Sequence, residues 1–408
     1  MNAWSAGALI AGLTLASALT LAVKRTALRR NWVGQAMPHH FHDGPIPRLG
    51  GISIFLTVLI LVLGSIIFLG GWTDHGRQIL AVVLGGTLVF GVGLWDDFSP
   101  IPPFLKASLE VLAGVVLYLG HVRFEVLPPV VSGPLPPALS LFLTVTWVVG
   151  ITNSFNLIDG LDGLATGSAL ISSATLALLF TIAGHTELAL VSLILSGALL
   201  GFLKFNFSPA VIFLGDCGSL FIGFLMSILG LALLKSTSSP AGILIPLLVF
   251  GLPVLDTILA IVRRVLKKQP IYMPDCEHMH HKLVARGWSA PVSAVALYTI
   301  SAFFGAVSVL FVIMPAHLIL LSTLPLCCVA VCFVGFGYHK YVPELQQLDK
   351  AADSSGDITS AQRENGRETR RRVTPKRNAN VRNNVPELDE VLVGRHDNHR
   401  TGVAFSDD

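Results

Sequence analysis

Six aspartates of this 408-residue chain stand at or just inside the ends of apolar runs: Asp96, Asp97, Asp159, Asp162, Asp216 and Asp256. A carboxylate at the centre of a bilayer helix costs about 2.5–3.5 kcal/mol on insertion scales and less near the surface, so such residues are functional candidates by default. The bland alternative is that they mark helix ends or cap the next helix. That alternative weakens when several of them fall at one face. In "NSFNLIDGLDG" (residues 153–163) polar side chains recur every third residue: Asn153, Asn156, Asp159 and Asp162. Carboxylate and amide oxygens suit a hard cation, magnesium above all with manganese as the alternative, which takes one or two protein ligands and completes its shell with phosphate oxygens and water. A phosphate substrate also calls for cations. Lys106 stands out, nine residues after Asp97 at the start of an apolar run, where topology demands no charge. His278, His280 and His281 in "HMHH" lack the His-Glu-x-x-His pattern of a zinc site and are assigned to phosphate or sugar contact.

The elements that must position these groups are membrane spans. The chain is 52% hydrophobic and only 13% charged, against about 25% charged in soluble domains. Apolar stretches of roughly 18 residues or more recur, enough to cross ~30 Å of hydrocarbon as a helix. Eleven are expected, at residues 6–23, 50–70, 79–95, 105–120, 137–152, 164–183, 187–203, 211–234, 241–263, 291–314 and 317–337. The fold class is an all-α polytopic integral membrane protein. The first run has its cations (Lys24, Arg25, Arg29, Arg30) after it rather than before, the reverse of a signal peptide, and is read as a retained span with its N-terminus outside. The Lys and Arg of the short loops then collect inside, and the motifs bearing Asp96, Asp159, Asp216 and the histidines fall on that same cytoplasmic side.

Residues 1–341 form the expected membrane domain, and 342–408 a polar cytoplasmic tail with too few bulky apolar residues to fold alone. The five cysteines show no metal or disulfide spacing. A net charge of +3 does not point to nucleic acid.

These motifs resemble those of the polyprenyl-phosphate N-acetylhexosamine-1-phosphate transferases. The matching pieces occur in family order: "HDGPIPRLGG" (42–51), "GLWDDFSPIPPFLK" (93–106), "TNSFNLIDGLDGLATG" (152–167), "NFSPAVIFLGDCGSLFIG" (206–223), "PVLDTILAIVRR" (253–264) and "HMHHKLVARG" (278–287). The resemblance implies that a lipid phosphate, undecaprenyl phosphate, attacks the β-phosphorus of a UDP-activated amino sugar and that UMP leaves. It implies that Asp216 and Asn156 hold magnesium and that Asp96, beside Asp97, is the base or orienter of the lipid phosphate. Asn206, Asp159 and Asp162 would shape the nucleotide-sugar site, and Lys106 with His278, His280 and His281 would neutralise the diphosphate. A bacterial plasma membrane and a homodimer through the spans also follow by resemblance. Glu110 stands where the family commonly has Gln. "HMHHKL" looks like the N-acetylglucosamine branch, with the phospho-N-acetylmuramoyl-pentapeptide transferases as the alternative.

The rival class is an ion-coupled transporter, which also uses buried aspartates and interrupted helices. Transporters show repeated halves with sites at mid-membrane, whereas these motifs do not repeat and gather at one face. Within the ladder, steps of three residues drift about 60° each around a helix. Asn153, Asn156 and Asp159 therefore share a face, and Gly160 and Gly163 mark where the helix ends. Asn156 is the ligand candidate, and Asn153 is read as structural.

Overall fold

The computed structural model describes residues 3–32, 46–69, 75–127, 133–236, 242–270 and 278–314. Among these, twelve α-helices account for the ordered elements: α1 (Ala3–Arg29), α2 (Gly51–Leu69), α3 (Gly76–Phe98), α4 (Pro103–Leu119), α5 (Pro137–Leu157), α6 (Leu164–Ile182), α7 (Thr186–Asn206), α8 (Gly215–Ser236), α9 (Leu244–Val249), α10 (Gly251–Leu266), α11 (Met279–Ala285) and α12 (Ala290–Ile313). Eight of them (α1, α2, α3, α5, α6, α7, α8 and α12) are long and apolar enough to cross a membrane. The expected fourth span is α4, at 17 residues slightly short and carrying Lys106 and Glu110. The expected eleventh span and the polar tail lie outside the described residues.

The expected ninth span is broken in two, α9 and α10, for a reason written in the sequence. Pro253 has no N–H to donate to the carbonyl of Val249 four residues earlier. The Ser172 hydroxyl of α6 donates to that carbonyl instead, at 2.8 Å. Beyond the break α10 is inside out: Asp256 and Arg264 are buried while Ile258, Ile261, Val265 and Leu266 are exposed. This is the arrangement expected of a helix whose apolar face meets lipid rather than water.

α8 is the axis of the bundle. It packs against α2, α3, α5, α6, α7 and α9, and 94% of its spanning window is buried. Lipid offers little hydrophobic drive for helix association, so close backbone approach and interhelical hydrogen bonds must supply it. Trp147 Nε1 of α5 donates to the Ser227 carbonyl at 2.9 Å, and Thr20 of α1 donates to Ser53 of α2 at 2.9 Å. One such close approach is between α3 and the first turn of α8. A Cβ on Gly93 would lie 2.5 Å from the Asp216 carbonyl oxygen and 2.6 Å from the Cys217 Cα.

That contact separates two glycines on one helix. Gly91 has open space around its Cβ position, whereas Gly93 has backbone. Gly91→Ala should leave the melting temperature unchanged or raise it, since mid-helix Gly costs roughly 0.5–1 kcal/mol relative to Ala. Gly93→Ala should lower it and reduce activity by displacing Asp216. Thermal unfolding in detergent compares the two directly, and equal behaviour would show that the contact is not limiting.

Candidate active site

The polar cluster forms where the C-terminal end of α3 meets the N-terminal end of α8. Asp97 lies in the last turn of α3, and its two carboxylate oxygens accept the backbone N–H groups of Asp216 (2.8 Å) and Cys217 (3.0 Å). These are among the first N–H groups of α8, which no intrahelical carbonyl can satisfy. Asp97 thus caps a helix distant in sequence and fixes the residue beside it. Gly215 makes the approach feasible: its φ is +75°, and a Cβ there would fall 1.9 Å from the Arg48 carbonyl oxygen and 2.7 Å from an Asp97 oxygen. The segment entering α2 clamps the other side, with Phe213 N–H donating to the Pro47 carbonyl (2.8 Å) and Gly51 N–H to the Leu214 carbonyl (2.8 Å).

Lys106, on the first turn of α4, reaches into this junction. Its ammonium pairs with Asp96 at 3.1 Å and with Asp216. Asp96 in turn accepts the Ile101 N–H at 2.8 Å, which pins the loop between α3 and α4. One turn further along α4, Glu110 accepts a hydrogen bond from Asn153 Nδ2 of α5. Glu110 is 1% exposed, and its other oxygen has no hydrogen-bond partner among the described residues. Asn153 also donates to the Val149 carbonyl at 2.9 Å. The Glu110–Asn153 contact therefore joins α4 and α5 one turn below Lys106 and Asn156.

Asn156 donates through Nδ2 to the Ser219 hydroxyl at 2.8 Å. This contact brings α5 against the first turn of α8 and orients the amide for use of its oxygen. Ser219 was not among the sequence-derived candidates; its signal was its position three residues after Asp216, on the same helical face.

α5 ends at Leu157, and the chain turns through residues 158–163 before Gly163, at φ +74°, starts α6. Tyr298 of α12 donates to the Gly163 carbonyl at 2.6 Å and holds this turn. Asp162 accepts the Ala210 N–H at 3.1 Å. Asn206 accepts from Thr166 at 2.7 Å and donates to the Ile212 carbonyl at 3.1 Å, and it is only 2% exposed. Asp162 and Asn206 thus tie the 158–163 turn, α6 and the 207–214 loop together. The bonds of Asn206 act inside the protein, which makes it a positioning group rather than a surface for substrate. Asp159 lies on the same turn. Burial raises its pKa well above the usual carboxylate value, and the nearby charges of Asp216, Asp97 and Asp162 raise it further.

The three histidines separate into different roles. His278 Nδ1 lies 2.7 Å from Asp256 of α10, which also accepts the Met279 N–H at 2.9 Å. His280 is 2% exposed and packs against the 158–163 turn, where a Cβ on Gly160 would be 2.4 Å from its Nε2. Burial, and then the nearby His281, hold its pKa down at about 3. His280 is therefore a neutral ring near pH 7 in the protein without substrate. His281, the exposed member, stacks at a tilt on His280 with centroids 4.1 Å apart.

Among the described residues, no three His, Cys, Asp or Glu side chains converge as a metal cage. The donor set fits magnesium in a different way. Asp216 and the amide oxygen of Asn156 are hard donors, and one or two such ligands suffice when phosphate and water complete the shell. The crowding of Asp159 by three other carboxylates is an excess of negative charge that a bound cation would relieve.

A carboxylate–lysine cluster at one end of a bundle of apolar helices is an arrangement that can meet phosphate charge. Comparisons with known proteins give the class of the chain. A family profile, glycosyl transferase family 4, matches residues 79–234. A probable undecaprenyl-phosphate N-acetylglucosaminyl 1-phosphate transferase of Bacillus subtilis is 36% identical over 299 residues, covering 73% of this chain and 82% of that one. A decaprenyl-phosphate N-acetylglucosaminephosphotransferase of Mycobacterium tuberculosis is 32% identical over 317 residues, 71% of this chain and 78% of its own. A phospho-N-acetylmuramoyl-pentapeptide-transferase of Limosilactobacillus fermentum is 32% identical over 309 residues, 69% and 91%. The chain belongs to glycosyl transferase family 4.

Two outcomes test this geometry. Asn caps a helix nearly as well as Asp, whereas Ala costs about 0.5–2 kcal/mol. Asp97→Asn keeps one acceptor oxygen, so its melting temperature should fall between wild type and Asp97→Ala, with turnover following the same order. Turnover abolished equally in a stable Asp97→Asn protein would give the carboxylate a charge role beyond capping. The second outcome concerns Asp159. Its raised pKa means that, above pH ~4, the unfolded chain releases a proton that the folded chain retains, so stability falls as pH rises. Asp159→Asn should therefore melt higher than wild type in metal-free buffer at pH 7.5, by about 2–4 °C for each kcal/mol gained. The gap should close near pH 4, and a pH-independent gap would contradict the assignment.

Proposed function

We propose that this protein transfers N-acetylglucosamine-1-phosphate from UDP-N-acetylglucosamine to undecaprenyl phosphate, releasing UMP and a polyprenyl-diphospho-sugar. The observation that carries the reading is the Lys106 ammonium held between Asp96 and Asp216 at the start of α8, in a chain of this family. The names of the Bacillus and Mycobacterium relatives support a polyprenyl phosphate acceptor and an N-acetylglucosamine phosphate donor. The excess of Lys and Arg in the loops beside the motifs supports a cytoplasmic site, and the bacterial relatives support a bacterial plasma membrane. There a soluble nucleotide sugar can meet a membrane-held lipid, and a homodimer through the spans is part of the same reading.

In the reaction an oxygen of the lipid phosphate forms a bond to the β-phosphorus of the donor, and the bond from that phosphorus to the UMP oxygen breaks. Phosphoryl transfer depends mainly on positioning and on neutralising charge. Lys106 is placed to do the second, and Asp96 and Asp97 the first. Asp96 holds Lys106 and the α3–α4 loop, and Asp97 holds the first turn of α8. A phosphate monoester has a second pKa of about 6 and is already largely ionised near neutral pH. The nucleophile therefore gains little from a base, and Asp96 acts as an orienter. Magnesium, or manganese in its place, held by Asp216 and Asn156, would supply further neutralisation of the diphosphate when bound. Asp159, on the 158–163 turn and within reach of the Asp216 charge, completes the anionic wall.

Purified protein with UDP-N-acetylglucosamine, undecaprenyl phosphate and Mg2+ should release UMP in step with lipid-linked sugar. Lys106→Gln should lower kcat by roughly 10²–10³-fold, the usual loss for one preorganised charge-stabilising donor. Asp216→Asn should abolish metal-dependent turnover in folded protein. Absence of UMP with every UDP-amino sugar tried would overturn the reading.

A further inference from the structure

Glu110 is a buried carboxylate to which the proposed reaction gives no task. It lies one helical turn after Lys106 on α4, and side chains four apart on a helix share a face. The charges of Lys106 and Asp216 both act on it, yet the Lys106 ammonium is turned to Asp96 and Asp216 instead. The two oxygens of Glu110 differ. One accepts from Nδ2 of Asn153, and that same nitrogen donates to the Val149 carbonyl at 2.9 Å. Both amide hydrogens are thereby committed, and the carboxylate is anchored through one oxygen. The other oxygen is buried with no hydrogen-bond partner among the described residues. Such an oxygen is costly, and keeping it in a packed bundle points to a partner gained during function.

Lys106 is the group that needs a second partner. It pairs with Asp216, the residue that holds the divalent cation in the proposed reaction. An ammonium and a divalent cation on one carboxylate repel each other, so the two compete for Asp216. Lys106 keeps Asp96 at 3.1 Å, but its side chain is only 15% exposed, and a buried ammonium needs acceptors in place of water. Asp97 offers none, since its two oxygens accept the N–H groups of Asp216 and Cys217. The free oxygen of Glu110 is the acceptor on the lysine's own helix face. An ammonium has three donors. Asp96 and Glu110 take two of them, and the third is left for phosphate.

We propose that Glu110 is a positioning residue that takes the Lys106 ammonium over from Asp216 when the divalent cation binds, and so keeps the lysine in the site. The inference rests on Asp216 as a metal ligand, and its test separates the two. Full-length protein in mild detergent, without substrates, is titrated with Mn2+, and the free ion is counted by electron paramagnetic resonance. Asp216→Asn should abolish binding; unchanged binding there would overturn the metal reading and this inference with it. Glu110→Gln keeps the acceptor for Asn153 and places an NH2 group where the free oxygen stood. It should weaken Mn2+ binding about tenfold, the size of one charge-assisted hydrogen bond. Lys106→Gln removes the competing ammonium, and in that background Glu110→Gln should change the affinity by less than about twofold. Lys106→Met gives the same comparison should Lys106→Gln fold poorly. Equal weakening by Glu110→Gln with and without the lysine would make Glu110 a structural or long-range charge. That result would overturn the proposal while leaving Asp216 as the ligand, as would wild-type affinity in Glu110→Gln.

Discussion

The carboxylate of Asp97 accepting the first N–H groups of α8 is the contact on which the rest of the site depends. It sits at the C-terminal end of its own helix, where the helix dipole disfavours a negative charge. It gains instead from the N-terminal end of α8, whose orphan donors and positive dipole end it satisfies. The exchange locks two spans separated by more than a hundred residues, and it sets Asp216 where Lys106 can reach it. The backbone must approach closely for this to happen. Gly93 and Gly215 have no side chain because that space is filled by the Asp216 carbonyl and the Arg48 carbonyl.

Around this contact the site is built in two layers. Lys106, Asp96, Asp216 and Asn156 present charge and oxygen donors at the junction, while Asn206, Asp162, Glu110 with Asn153, and Asp256 with His278 hold the loops that frame it. The second layer is polar because lipid cannot satisfy backbone groups left by turning chain. Every loop that dips toward the bundle needs a side chain to receive its N–H or carbonyl. The same requirement explains Ser172 under the break between α9 and α10. A polar residue near a membrane-embedded site is therefore not automatically a substrate contact, and Asn206 is the example.

What could be read from the chain alone follows from strong local rules. Hydrocarbon thickness fixed where the spans must run, and the long described helices overlie the expected runs, although α1 extends six residues beyond its run, Pro253 interrupts another and the short α11 had no expected run. The cost of carboxylates near hydrocarbon singled out the aspartates, and the absence of a topological reason singled out Lys106. Asn153 and Asn156 share a helical face, so the family resemblance and not periodicity singled out Asn156; Asn153 makes its bonds to Glu110 and Val149 within the bundle.

Tertiary structure decided the division of labour. Asp96 and Asp97 are chain neighbours with the same chemistry, yet one holds a lysine and the other caps a distant helix. No periodicity could distinguish them, because the partners come from other spans. His280 reads as a cation in a histidine-rich loop and is a neutral buried ring because the 158–163 turn packs onto it. Local hydrophobicity is a property of residues and so is written in the sequence, whereas partnership is a property of distance and appears only once the helices are packed.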